Sequence, residues 1–128
     1  MALVEKRLLT ARMIRLAFWA AVAFTIVMAT LPSPPQIPGS PPDKIQHIAA
    51  FAILSVLGAF GYRETPMWRI AIGLSSFGAV IEIIQGIPAI HRDADIKDWI
   101  ADSVAVAVVL TGLNIWRKGI AKRHQQSN

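Results

Sequence analysis

The chain has 128 residues, of which 54% are hydrophobic and only 16% charged, a balance far more apolar than a soluble domain requires. It contains no cysteine, which excludes a disulfide framework and a thiolate metal centre. The net charge of +5 would suit a nucleic-acid partner only if the basic residues shared one surface with an acidic ligand, and their placement along the chain argues otherwise.

Four blocks are long enough to span a bilayer, which takes roughly 17 to 25 mainly apolar residues per helix. They cover residues 14–31, 45–62, 68–87 and 99–116. A soluble four-helix bundle carries a polar face along most of each helix, and the first block, IRLAFWAAVAFTIVMATL, has none. The expected fold is all-α, a polytopic membrane protein with four transmembrane helices. Residues 1–13 form a basic, partly helical lead-in, 14–116 the transmembrane domain and 117–128 a basic tail.

If the blocks alternate in direction, ten of the thirteen basic residues share one face: Lys6, Arg7, Arg12, Arg15, Arg63, Arg69, Arg117, Lys118, Lys122 and Arg123. Only Glu5 and Glu64 join them. The opposite face holds Lys44, Arg92 and Lys97 with six of the eight acidic residues, Asp43, Glu82, Asp93, Asp95, Asp98 and Asp102. By the positive-inside rule both termini are cytoplasmic and the loops 32–44 and 88–98 external. The net charge becomes an asymmetry of about +8 inside and about −3 outside. No nucleic-acid partner is expected, and the inner charge is expected to anchor helix ends to anionic lipid.

The first span exceeds the roughly 7 to 15 apolar residues of a signal peptide, and no small-x-small site precedes LPSPPQIPGSPP, so a retained signal anchor is expected. That segment holds six of the eight prolines and reads as a stiff external connector. The second span opens with DKIQH. Asp43 stands at a helix N-cap or first-turn position, His47 lies on the same face one turn deeper, and Phe51, Leu54 and Gly58 continue that face as packing residues. In the short internal loop, Pro66 suits a helix start, and Tyr62, Trp68 and Trp116 mark the inner headgroup level, with Trp99 marking the outer one.

In the third span Ser75, Gly78, Glu82 and Gln85 form one helical stripe. Glu82 is the strongest anomaly of the chain, because an ionisable residue inside a span costs a few kcal/mol and demands a partner. Its expected partners lie in the loop IPAIHRDADIKD and at the start of the fourth helix. Asp95 is placed to cap that helix with Asp98 at the third position, a capping box. Arg92 suits bidentate pairing with a carboxylate or phosphate, and Asp102, inside the span, is too deep to serve as a cap.

Asp43, Lys44 and His47 in DKIQHIAAF, Glu82 and Gln85 in EIIQ, and Arg92 and Asp98 in HRDADIKDWIAD together resemble the VanZ-like membrane proteins. That family's pattern runs DKxxHxxxF, then ExxQ, then RxxxxxDxxxNxxG. The resemblance spans residues 43–105 and rests on seven polar positions. It implies a small bacterial helical protein of the cytoplasmic membrane, in a family whose founding member is associated with low-level resistance to the glycopeptide teicoplanin. Two positions depart from the pattern: Asp102 stands where the family usually has Asn, and Ala105 where it usually has Gly.

These residues predict a polar pocket at the outer leaflet, formed by the tops of the second, third and fourth helices. Arg92 and Lys44 would hold an anionic headgroup, with Asp43, Gln85 and Asp102 as further ligand contacts. Glu82, His47 and Asp98 are the catalytic candidates if chemistry occurs. The expected partner is a membrane lipid, either a phospholipid or an undecaprenyl-linked envelope precursor. An alternative is a hydrolase or transferase in which His47 and the carboxylates bind a divalent cation and act on a lipid phosphate. No nucleophile motif, Gly-rich phosphate loop or recognised metal-ligand spacing supports it. In a third reading the polar residues merely interlock the helices of an accessory subunit with membrane-protein partners.

Overall fold

A computed structural model describes residues 1–32, 38–39 and 42–127. Most of the proline-rich connector, for which a stiff spacer is expected, lies outside the described residues. Four helices follow one another: α1 (Ala2–Thr30), α2 (Asp43–Gly61), α3 (Met67–Gln85) and α4 (Ile96–Gln126), with a single 3-10 turn at Pro88–Ile90 between α3 and α4. All four are long and apolar enough to cross a membrane. Among the described residues there is no strand, so the expected all-α class is observed.

Helix ends follow the breakers. Pro42 and Pro66 stand immediately before α2 and α3, where a missing backbone donor costs nothing. Residues 1–30 contain neither Gly nor Pro, and α1 accordingly runs from Ala2 through the basic lead-in without a break. The basic tail likewise continues α4 to Gln126. At 19 residues each, α2 and α3 are about 28 Å long, close to the roughly 30 Å of a hydrocarbon core.

The longer α1 and α4 overrun α2 at the basic end. Arg15 Nε donates to Gly61 O at 2.7 Å and Arg117 Nη2 to Ala59 O at 2.6 Å, so the helix from 2 to 14 and that from 118 to 126 project past the end of α2. These two contacts also settle the electrostatics of that end. The last four carbonyls of a helix have no partner within it and carry its negative dipole charge, yet the last turn of α2 holds no basic residue. Arginines from both neighbours supply the charge instead. An aromatic cluster forms beside them: Trp19 Nε1 donates to Tyr62 Oη at 2.8 Å, and the Arg15 guanidinium lies over the Tyr62 ring.

Large apolar side chains cover the outside. Leu16, Trp19, Phe24, Ile53, Ile72, Ile83, Val104 and Val108 are all exposed, a surface that water does not tolerate in contiguous patches and that hydrocarbon accommodates. The molecule is a multi-pass membrane protein. Its core surrounds α2, which packs against the other three helices and buries Phe51, Leu54, Ser55, Gly58, Ala59 and Gly61. The Ser55 hydroxyl is satisfied by donating to Phe51 O within the same helix. Gly58 admits the neighbours: a Cβ there would lie 3.2 Å from Ile70 Cγ2 and 3.4 Å from a Phe18 ring carbon.

Gly58→Val should therefore separate α1 and α3 from α2 and destabilise the bundle by about 1–3 kcal/mol, measurable as a lower unfolding temperature in detergent. Gly73→Ala, which meets nothing within 4 Å, should leave that temperature unchanged or raise it slightly.

Candidate functional site

The acidic end is built from the start of α2, the end of α3, the start of α4 and the loop between the last two. Gly86 closes α3, its N–H reaching Glu82 O at 3.0 Å. Pro88 opens the 3-10 turn, and His91 ends it with φ 53°, a left-handed conformation that costs a non-glycine residue about 1–2 kcal/mol. Arg92 follows directly, with its side chain turned inward and only 13% exposed.

Asp95 caps α4: its Oδ1 accepts the Lys97 N–H at 2.9 Å. The reciprocal half of the expected capping box would have the Asp98 carboxylate accept the Asp95 N–H. Glu82 takes that part instead, its Oε2 accepting the Asp95 N–H at 2.8 Å from the neighbouring helix. A glutamate one turn below the end of α3 reaches this N–H directly, whereas Asp98 is drawn the other way, to Lys44 Nζ at 3.4 Å. The anomalous carboxylate of the third span thus has its partner in the first turn of the fourth.

A second series of contacts descends from the surface. Arg92 Nη2 lies 3.3 Å from Asp43 Oδ2, and the same oxygen is 3.9 Å from His47 Nε2. His47 Nδ1 is 3.5 Å from Asp102 Oδ2. The side chain is 58% exposed at Asp43, 12% at His47 and 2% at Asp102, so the series runs from the aqueous edge into the bundle. Asp43 occupies the first turn of α2 without making a side-chain cap. Asp102 has the His47 imidazole as its neighbour. Two carboxylate oxygens, Glu82 Oε1 and Asp102 Oδ1, are buried with no hydrogen-bond partner among the described residues.

Asp43, Lys44, His47, Glu82, Arg92, Asp98 and Asp102 are therefore gathered at one end of the bundle. Gln85 is not part of these contacts. It is buried, and its Nε2 donates to Ala29 O at 3.1 Å, satisfying one of the unpaired carbonyls at the end of α1.

An open cleft of about 160 Å³ lies beside this series, lined by Phe24, Thr25, Met28 and Ala29 of α1, Asp43, Gln46, His47 and Ala50 of α2, and Arg92. This is roughly ten times the space one water needs. The pocket expected among the tops of α2, α3 and α4 has a different wall: α1 forms it. Between the other three helices Phe51, Ile81 and Val106 are buried, leaving that interior packed. Glu82 faces a separate open groove, lined by Ala79, Ile83 and Gly86 of α3 with Ala94, Ile96 and Trp99. Ala105 lies in a shallow apolar groove between α2 and α4. The α1 residues carried no signal in the sequence, since Phe24 and Met28 are indistinguishable from other lipid-facing residues of that span.

The residues differ in what they can release. The Arg92–Asp43 pair joins a largely buried guanidinium to an exposed carboxylate, so solvent screens it and a ligand reaches it from the Asp43 side. His47 and Asp102 are enclosed, and removing one of such a pair strands the other's charge. Among the described residues, no three His, Cys, Asp or Glu side chains gather closely enough to hold a metal ion. The chain matches no protein-family model, no curated protein and no solved structure.

Glu82→Ala should free the α4 N-terminus and cost about 0.5–2 kcal/mol, as loss of a helix cap does, while Glu82→Gln, which keeps an acceptor oxygen, should cost less. Thermal unfolding in detergent orders the two variants, and faster amide exchange at Asp95 in Glu82→Ala locates the effect.

Proposed function

We propose that the protein is a VanZ-like component of the bacterial cytoplasmic membrane that binds a phosphate-bearing envelope lipid at the outer leaflet. The carrying observation is the cleft between α1 and α2, with Phe24, Met28, Ala29 and Ala50 along its walls and Arg92, Asp43 and His47 among its polar lining. A lipid has the same division between chain and headgroup. The Arg92 guanidinium is a planar donor suited to phosphate oxygens, and only its Nη2 is engaged by Asp43. The positive-inside rule, applied to the basic ends of α1 and α4, orients the acidic end outward. The order and spacing of seven polar residues supports the family.

The candidate lipids are phospholipids and undecaprenyl-linked precursors, and retention of the latter would connect the protein to glycopeptide tolerance. A purely structural interlock would require neither an open cleft nor buried carboxylate oxygens lacking partners. A second reading is favoured by one contact. With Nδ1 toward buried Asp102, His47 keeps Nε2 on the Asp43 side, the arrangement of a general base oriented by a carboxylate. In that reading the site hydrolyses or transfers at the lipid phosphate, and His47→Gln would abolish turnover of a radiolabelled lipid phosphate without releasing the lipid.

After detergent exchange, the purified protein should retain lipid. Ala50→Trp, which fills the cleft, should remove it, and Arg92→Ala should weaken it about tenfold or more, the worth of a hydrogen bond to a charged group. Lipid retention is counted by native mass spectrometry; no lipid on the wild-type protein, or equal retention by both variants, would overturn the proposal.

A further inference from the structure

We infer that the lipid taken by this cleft has a zwitterionic headgroup of the ethanolamine type, its phosphate on Arg92 and its primary amine on Asp43. The inference rests on the lipid-binding reading above and names the headgroup. Its basis is the charge balance of the acidic end. Of the six carboxylates and three fixed cations of that end, Asp43, Asp98 and Asp102 contact Arg92, Lys44 and the His47 imidazole, and Glu82 accepts the Asp95 N–H. Lys44 is already committed to Asp98 and Glu82 to the Asp95 N–H, which leaves the Arg92–Asp43 pair at the cleft.

A headgroup bearing only negative charge would gain Arg92 but displace it from Asp43, stranding that carboxylate among others of the same sign. A headgroup bearing only positive charge would meet Arg92. A headgroup that carries both exchanges one pair for two. Its phosphate replaces Asp43 on the guanidinium, its ammonium replaces Arg92 on the carboxylate, and no net charge is brought in. Asp43 is equipped for this exchange: its side chain is 58% exposed, and its two contacts both fall on Oδ2. The Arg92 guanidinium and the Asp43 carboxylate stand side by side, in direct contact, so the two ends of one short headgroup can reach both. The same geometry disfavours a choline headgroup, whose quaternary nitrogen has no N–H to donate to a carboxylate. The chain-bearing half of the lipid lies along Phe24, Met28 and Ala50.

The full-length protein is stripped of lipid in detergent and titrated with phosphatidylethanolamine, phosphatidylglycerol and phosphatidylcholine of identical acyl chains, with bound lipid counted by native mass spectrometry. Phosphatidylethanolamine should bind about tenfold more tightly than either competitor, the scale of one charged hydrogen bond gained or lost. Asp43→Asn should equalise phosphatidylethanolamine and phosphatidylglycerol while lipid is still retained, and Asp43→Glu should keep the preference; unchanged unfolding temperatures show both variants folded. Phosphatidylglycerol binding as tightly as phosphatidylethanolamine, or a preference that survives Asp43→Asn, overturns the headgroup assignment and leaves phosphate-lipid binding standing. Failure of all three lipids to bind overturns both. Soluble glycerophosphoethanolamine binding as tightly as the lipid would overturn the assignment to a membrane lipid.

Discussion

The hydrogen bond from the Asp95 N–H to Glu82 Oε2 is the constraint on which the acidic end depends. A carboxylate inside a membrane-spanning helix is costly by a few kcal/mol, and an uncapped N–H at a helix start is also unfavourable. Each offsets part of the other's penalty, the bond engaging Glu82 Oε2, with the positive end of the α4 dipole adding to the attraction. The bond also fixes geometry. It holds the end of α3 against the first turn of α4, so residues 86–94 must close as a short loop, and the 3-10 turn with left-handed His91 delivers Arg92 over the start of α2.

The two ends of α2 are treated in opposite ways, and the charge asymmetry of the chain is as much structural as topological. At the basic end Arg15 and Arg117 complete the carbonyls of α2, tying α1 and α4 to the central helix where they leave the bundle. At the acidic end the first-turn carboxylate of Asp43 matches the positive dipole end but remains exposed. The basic end is thus closed by arginine–carbonyl hydrogen bonds, whereas the acidic end keeps a carboxylate, Asp43, that solvent or a ligand can reach.

Helix number and class were legible because each apolar block outruns anything a soluble core needs. The buried face of α2 was legible from spacing alone: Phe51, Leu54 and Gly58, below His47, are all buried. The polar residues of the acidic end were visible as charges in an apolar chain. What the spacing did not reveal depends on partners in other helices. Asp98 has the sequence position of a capping-box residue, yet a residue sixteen positions upstream of it makes the bond. Gln85 reads as a pocket residue, but the end of α1, more than fifty residues earlier, needs a donor. The α1 wall was invisible for a different reason: an apolar side chain facing a cleft and one facing lipid obey the same preference. The helical course of the basic segments was hidden by their charge, although the first contains neither Gly nor Pro to stop it.

Burial then decides which of the ionic contacts is free to act. His47 and Asp102 are enclosed, so exchanging either for a ligand would leave a charge without compensation in a low-dielectric interior, where such a loss is on the order of 3–5 kcal/mol. Arg92 is nearly as enclosed as His47, but its partner Asp43 is exposed, so this pair is screened from the Asp43 side. The buried pair therefore holds α2 to α4 and sets the imidazole, while the pair above it is open to solvent at Asp43. Asp43 Oδ2 joins the two, facing both Arg92 and His47. A ligand that draws Arg92 away changes the charge seen by His47 without disturbing the contact that positions it.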